Sequence, residues 1–212
     1  MPRITDLKVQ KRNPNRLNVY LDGEFAFGVE RIVGAWLSIG DEIDREKIES
    51  LLHKDEIEKA YVRALRLINV RPRSIYEVET RLKQAGFGEE ILPVVVNRLQ
   101  AAGLVSDRDF ANAWVENRCA FRPRSKRVLV LELHQKGVAE NEIQSAISNL
   151  DETALAAKTA EKYVSRCKDL PFDEFRKKMF GYLARRGFVY ETASEVIQAS
   201  WHSLQEEAEN LI

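Results

Sequence analysis

Arg71-Pro72-Arg73-Ser74 and Arg122-Pro123-Arg124-Ser125 are one tetrapeptide written twice, 51 residues apart, and the residues after each copy repeat too. Leu82 and Leu133 come eleven residues after the first arginine of each copy. Gly86 and Gly137 come four residues later, each trailed by an apolar residue, Phe87 or Val138. Leu183, Gly187 and Phe188 repeat the Leu-x-x-x-Gly-apolar ending 50 residues further on, and Ala60 and Ala111 also keep the 51-residue offset. Self-similarity at a fixed period of this length marks a repeat architecture whose units bury their apolar faces against one another. The chain therefore carries three units of about 50 residues, the third of them diverged.

Helical periodicity divides each unit into three segments: 55–69, 74–85 and 89–102, then 107–121, 125–136 and 140–150, then 152–167, 172–186 and 190–208. Ser74-Ile75-Tyr76-Glu77 has the Ser-x-x-Glu form of a capping box, and Ser106-Asp107-Arg108-Asp109 reads as another helix start. Gly86, Gly137 and Gly187 stand at C′ positions, where a left-handed residue ends a helix. Arg81, Lys83, Lys136, Arg185 and Arg186 precede them and complement the helix dipoles. The fold class expected is mainly α: tandem three-helix, helix-turn-helix-like bundles in an elongated array. The repeats occupy 55–104, 105–150 and 151–212. Helices of these lengths are rods of roughly 15–25 Å, and three modules side by side span on the order of 50–70 Å.

Residues 1–54 read differently, as a small β-hairpin and helix module. Ile4, Leu7 and Val9 alternate ahead of a turn at Asn13-Pro14-Asn15, and Leu17, Val19 and Leu21 continue with period two. Asp22-Gly23 is a type I′ hairpin signal. The returning strand, Glu24–Val29, places Phe25 and Phe27 on one face. Segments 30–36 and 44–54 read as helices.

The 212 residues hold 33 Lys+Arg against 33 Asp+Glu, with 31% charged and 44% hydrophobic residues. That balance excludes a polycation that coats nucleic acid on charge alone and an acidic solvating tail. Cys119 and Cys167 are 48 residues apart with no CxxC partner, which suits reduced thiols in the cytoplasm. The start, MPRITDLKVQ, lacks a signal-peptide apolar core, and no run approaches the length of a membrane span. His53, His134 and His202 share no metal-ligand spacing, and no phosphate-binding glycine loop or nucleophile elbow is present. Asp107 and Asp109 sit at a helix start, where capping explains them better than acid–base work. These features point to a non-enzyme without a cofactor.

Charge is informative by location. The stretch 118–127 holds Arg118, Arg122, Arg124, Lys126 and Arg127 without an acid. Arg63, Arg66, Arg71 and Arg73 form a second acid-free group between Glu58 and Glu77, and Lys177, Lys178, Arg185 and Arg186 a third. Arg-Pro-Arg-Ser can be a plain helix–helix connection, with Pro stopping one helix and Ser capping the next. It can equally be a cationic corner that forks onto phosphate or carboxylate. Tyr61, Tyr76, Phe110, Trp114, Phe121 and Phe188 fall at core positions by periodicity.

The ordered set Arg71-Pro72-Arg73-Ser74, Glu77, Leu82, Gly86, then Leu99-x-x-x-Gly103-Leu104-Val105-Ser106-Asp107-x-x-Phe110-Ala111, Trp114-Val115-x-x-Arg118 and Leu131-Glu132-Leu133-x-x-Lys136-Gly137-Val138 resembles the RecX family of recombination regulators. The resemblance covers residues 57–150 well and the third unit more loosely. It implies a non-enzymatic, cytoplasmic modulator of the RecA recombinase in DNA repair and the SOS response. Such a protein would lie in the groove of the RecA–single-stranded DNA filament and inhibit ATP hydrolysis and strand exchange, and some such proteins also bind DNA directly; the zero net charge of this chain predicts that its direct binding to single-stranded DNA is modest and salt-sensitive. A monomer is expected. Contact residues expected are Arg71, Arg73, Arg118, Arg122, Arg124, Lys126 and Arg127, with Lys177, Lys178, Arg185 and Arg186 as weaker candidates. Family members usually carry glycine where this chain has Ser125, a change expected to alter how Arg124 and Lys126 project. The competing reading of the same three-helix units is a helix-turn-helix regulator of transcription, which would more often concentrate its cations on one recognition helix.

Overall fold

The computed structural model describes residues 1–209. It opens with a three-stranded antiparallel sheet, β1 (Ile4–Gln10), β2 (Asn13–Leu21) and β3 (Glu24–Glu30), in the order β1-β2-β3. Ten helices come next among the described residues: α1 (Arg31–Gly34), α2 (Arg45–Ile68), α3 (Ile75–Gln84), α4 (Ile91–Ala101), α5 (Asp107–Phe121), α6 (Lys126–Gln135), α7 (Glu140–Ile147), α8 (Glu152–Val164), α9 (Phe172–Ala184) and α10 (Tyr190–Glu209). The mainly helical class, the small N-terminal sheet and the three-helix units all stand as the sequence implies. The chain forms two compact units, Met1–Arg73 with Glu77–Val105, and Ser74–Tyr76 with the described residues from Ser106 onward.

In the first unit the sheet buries Ile4, Val19, Phe27 and Val29 with Ile43 and Leu51. The hairpin between β2 and β3 turns through Asp22 (φ 49°) and Gly23 (φ 92°), as a type I′ turn requires. Three local expectations are corrected. The β1–β2 connection falls at Lys11–Arg12 rather than at Asn13-Pro14-Asn15, which β2 absorbs. Phe25 and Phe27 do not share a face: the register shifts so that Phe27 pairs with Val19 but Phe25 pairs with Tyr20. That bulge inserts Ala26 and flips the alternation, leaving Phe27 buried and Phe25 outside against the Tyr20 ring. Finally, the segments 44–54 and 55–69 are one 24-residue helix, α2, capped by Asp44. Asp55, in the middle of α2, is buried, and it accepts hydrogen bonds from the Glu30 N–H (2.6 Å) and both Arg16 guanidinium nitrogens (3.2 and 3.4 Å). Lys59 pairs with the same carboxylate at 2.6 Å. This network holds β2 and β3 to α2.

The Leu-x-x-x-Gly-apolar signature is a Schellman motif at each occurrence. Phe87 N–H donates to Leu82 O, Val138 N–H to Leu133 O and Phe188 N–H to Leu183 O, at 3.2–3.4 Å. Gly86, Gly137 and Gly187 have φ of 89°, 74° and 92°. Leu82, Leu133 and Leu183 are fully buried. In the second unit, Phe110, Leu129, Leu133 and Ile143 form the centre of one repeat and Phe175, Met179, Leu183 and Ile197 that of the next. Cys119, whose thiol burial pushes upward in pKa, packs against both.

Within the second unit, Ser74 and Ser125, the serines of the two Arg-Pro-Arg-Ser copies, make the joints. Ser125 N–H donates to Arg186 O at 3.1 Å, and Ser74 Oγ donates to Lys136 O at 2.6 Å. Glu152, first residue of α8, accepts the Lys126 N–H at 2.9 Å, while Asp107, first residue of α5, accepts the Ile75 N–H at 2.8 Å. Residues 74–75 and 125–126, at the starts of α3 and α6, are thus each held within this unit by one first-turn carboxylate and one carbonyl from the end of a later helix. Two of the C′ glycines, Gly137 and Gly187, belong to the same joints. A Cβ on Gly137 would stand 2.3 Å from the Tyr76 side chain, and one on Gly187 would stand 2.3 Å from Val128. The third repeat departs from this plan. Leu183 lies eleven residues after the start of α9, whereas Leu133 lies seven after the start of α6, so α9 runs about one turn further through the position of the corner.

Candidate functional site

Two of the cationic corners identified in the sequence have different fates. In the first unit, Arg71 forks onto Glu77, with Nη1 and Nη2 donating at 3.0 and 2.9 Å, and also reaches Pro72 O. That group is acid-free along the chain but not in space. Arg73 is half-buried. Burial, then the charge of Arg71, lowers its pKa against the opposing pull of Glu77.

In the second unit a cleft of about 280 Å³ opens where α5 ends beside α8 and α9. The end of α5 and its corner supply Phe121, Arg122 and Arg124. Helix α8 supplies Lys162, and the end of α9 supplies Tyr182 and Arg186. No carboxylate lines it. Lys162 Nζ donates to Ala120 O and Phe121 O, at 3.2 and 3.1 Å, so a cation caps the carbonyl end of α5. The Arg186 guanidinium lies 3.5 Å from the Tyr182 ring centroid and donates to Tyr182 O at 3.1 Å. Tyr182 in turn stacks on Tyr163 at 4.1 Å and 8°. Arg124 extends toward Arg185 O at 3.4 Å. Burial pushes the Arg186 pKa down; Tyr182 opposes this, and the charges of Arg124 and Arg185 add to it. Cations gathered this closely without an acid repel one another, and an anion seated among them removes that repulsion. Phe121 stands 72% exposed at the edge.

The other expected contact residues lie elsewhere. Arg118 donates to Glu132 at 2.6 Å and stacks over Trp114, whose indole N–H bonds the same carboxylate. Lys126 and Arg127 form the first turn of α6, Lys177 and Lys178 project from α9, and Arg185 comes directly after α9, exposed. Ser125 has φ −62° and ψ 155°, a conformation any residue adopts. Its hydroxyl accepts the Val128 N–H and so caps α6. Of the aromatics placed in the core by periodicity, Phe110 and Phe188 are buried, but Tyr76 and Phe121 are exposed.

Sequence reasoning reached Arg122, Arg124 and Arg186 and missed Lys162 and Tyr182. Lys162 comes directly after Glu161 and so belongs to no acid-free run, and Tyr182 has no mark at all until α9 is set beside α5. Among the described residues no group of His, Cys, Asp and Glu is placed to hold a metal ion, and no helix is long and apolar enough to cross a membrane.

Comparison with known proteins bears on the whole chain. Four family models match in order: the regulatory protein RecX N-terminal domain over residues 2–44, and the first, second and third RecX three-helix domains over 60–99, 106–147 and 151–197. The regulatory protein RecX of Bacillus subtilis (strain 168) is 31% identical over 99% of this chain and 81% of its own length. That of Clostridium botulinum (strain Alaska E43 / Type E3) is 29% identical over 93% of this chain and 96% of its own. A crystal structure of regulatory protein RecX superposes with a TM-score of 0.75 and 26% identity, over 92% of this chain and 98% of that one. With its sheet module and three repeats, each with a Schellman motif ending its middle helix, matched in sequence and in structure, the chain belongs to the RecX family of regulatory proteins, which are not enzymes.

Proposed function

We propose that this protein acts in the cytoplasm on the RecA filament assembled on single-stranded DNA, lowering its ATPase and strand-exchange activity, and that the cleft formed by Arg122, Arg124, Lys162 and Arg186 seats backbone phosphates of that DNA. The observation that carries this reading is the convergence of four cations, from three helices, on a pocket without a carboxylate. Arginine forks match phosphate oxygens, and an exposed ring such as Phe121 offers a face on which a base stacks. A helix-turn-helix reader of duplex bases aligns its cations along one recognition helix. Here they come from the end of one helix, the side of a second and the end of a third, an arrangement suited to backbone rather than base edges. With 33 cations balanced by 33 anions over the whole chain, the cleft binds bare DNA weakly and gains from a filament that also presents protein.

The test is RecA ATPase on single-stranded DNA with the protein titrated in. Inhibition is expected, with loss of inhibition in Arg122→Glu/Arg124→Glu at unchanged helicity and melting. No effect of the native protein on ATPase or on filament stability sinks the reading. Full inhibition by the folded double variant removes the cleft from it.

A further inference from the structure

The N-terminal unit carries a second surface that the proposed DNA seat does not use. Trp36, in the segment just after α1, is 90% exposed, and Ile32 within α1 is 64% exposed. They border a groove of about 300 Å³ whose other wall is a stripe of α2 running through Lys47, Leu51 and Lys54 to Glu58. Residues spaced this way lie on one helix face, and the stripe is about 16 Å long, three turns. Indole exposed to this degree beside further apolar side chains is the composition of an interface anchor, since tryptophan dominates binding hot spots and monomers seldom expose such clusters.

The charges around the groove say what covers it. Glu58 is ion-paired with Arg98. Lys47 and Lys54 make no side-chain hydrogen bond or ion pair among the described residues. The charges left for a ligand are therefore both ammonium groups, placed two turns apart at the edge of an apolar channel. Two free charges of one sign at the rim call for a complement that carries carboxylates there.

We propose that the Trp36 groove docks an acidic amphipathic helix of a protein partner, with apolar side chains against Trp36 and Ile32 and carboxylates meeting Lys47 and Lys54. The inference stands apart from the DNA seat.

The probe is a displayed library of helix-favouring peptides about three turns long, selected on the full chain. The expected pool carries apolar residues at i, i+4 and i+7 flanked by carboxylates. It binds the Trp36→Ala protein at least about tenfold more weakly, the loss of one anchor. Lys47→Glu/Lys54→Glu is expected to reverse the preference toward lysine-flanked peptides. Both sets of substitutions lie on the surface, and unchanged melting confirms the fold. A neutral or basic pool, a pool that binds Trp36→Ala equally, or no binders at all overturns the proposal. So does self-association in sedimentation that Trp36→Ala abolishes, which would make a second copy the occupant.

Discussion

Gly86 and Gly187 perform one conformational task in different surroundings, and substituting each with alanine separates backbone strain from the joint between repeats. Both are C′ residues of Schellman motifs, at φ 89° and 92°. A Cβ on Gly86 meets nothing within 4 Å, whereas on Gly187 it stands 2.3 Å from Val128 Cγ2 and 2.4 Å from Ser125 Oγ. Gly86→Ala is therefore expected to cost only the left-handed penalty, about 1–2 kcal/mol. Gly187→Ala adds an overpacking cost of about 1–3 kcal/mol as the first turn of α6 is pushed away, giving about 2–5 kcal/mol in all. Because the chain has two compact units, a single two-state fit is unsafe, and native-state hydrogen exchange of the α6 and α9 amides should accompany urea unfolding. The same displacement strains the Ser125 N–H to Arg186 O bond and so moves one wall of the cleft. Gly187→Ala should weaken single-stranded DNA binding while Gly86→Ala leaves it intact. Equal destabilisation in the two variants, or a Gly187→Ala effect that spares α6 protection, refutes the joint.

Other consequences are equally open to measurement. Asp55→Ala leaves Arg16 with Glu30 as its remaining carboxylate and the Glu30 N–H without its acceptor, and should destabilise the N-terminal unit by about 1–3 kcal/mol in urea titration; a loss below about 0.5 kcal/mol would show the Asp55 contacts to be dispensable. Lys162→Gln is expected to weaken single-stranded DNA binding alike for all sequences and to lower the slope of log K against log salt by about 0.7; an unchanged slope removes Lys162 from phosphate contact. Burial holds the Asp107 pKa above its ordinary value, against the Ile75 N–H that favours the anion. Protonated Asp107 is thus favoured in the folded state, and its contribution to stability is lost as pH rises through the carboxylate range. Asp107→Asn keeps an oxygen for the Ile75 N–H and sheds that charge, so its melting temperature should gain on the native protein as pH rises from acid to neutral. A variant that loses ground over the same interval contradicts the assignment.

The local elements were the legible part of the fold. The Asp-Gly turn, the C′ glycines and the cap at Ser106 depend on backbone conformations that particular residues favour, and neighbours in sequence decide them. The period of 51 and 50 residues exposed the three units because the buried leucines and left-handed glycines recur with it. Expectations failed where a contact outside the local window decided the outcome. Phe25 alternates properly with Phe27 until the cross-strand register inserts a bulge. The segments 44–54 and 55–69 have the content of two helices, but nothing between them breaks the hydrogen-bond ladder, and the buried Asp55 anchors the single helix to the sheet.

The candidate site divides the same way. That arginines gather at the corners is a property of the chain, set by Arg-Pro-Arg-Ser and its surroundings. Which of them remain available to a ligand depended on partners brought from elsewhere. Glu77 takes Arg71 and Glu132 takes Arg118, while Arg122, Arg124 and Arg186 converge with Lys162 and Tyr182 around one cleft. Helical periodicity and glycine placement are short-range, so the sequence alone determined the repeats and their ends. Charge neutralisation and cleft formation act through space between residues as far as 41 to 61 positions apart, so only the tertiary structure decided which cations line the cleft.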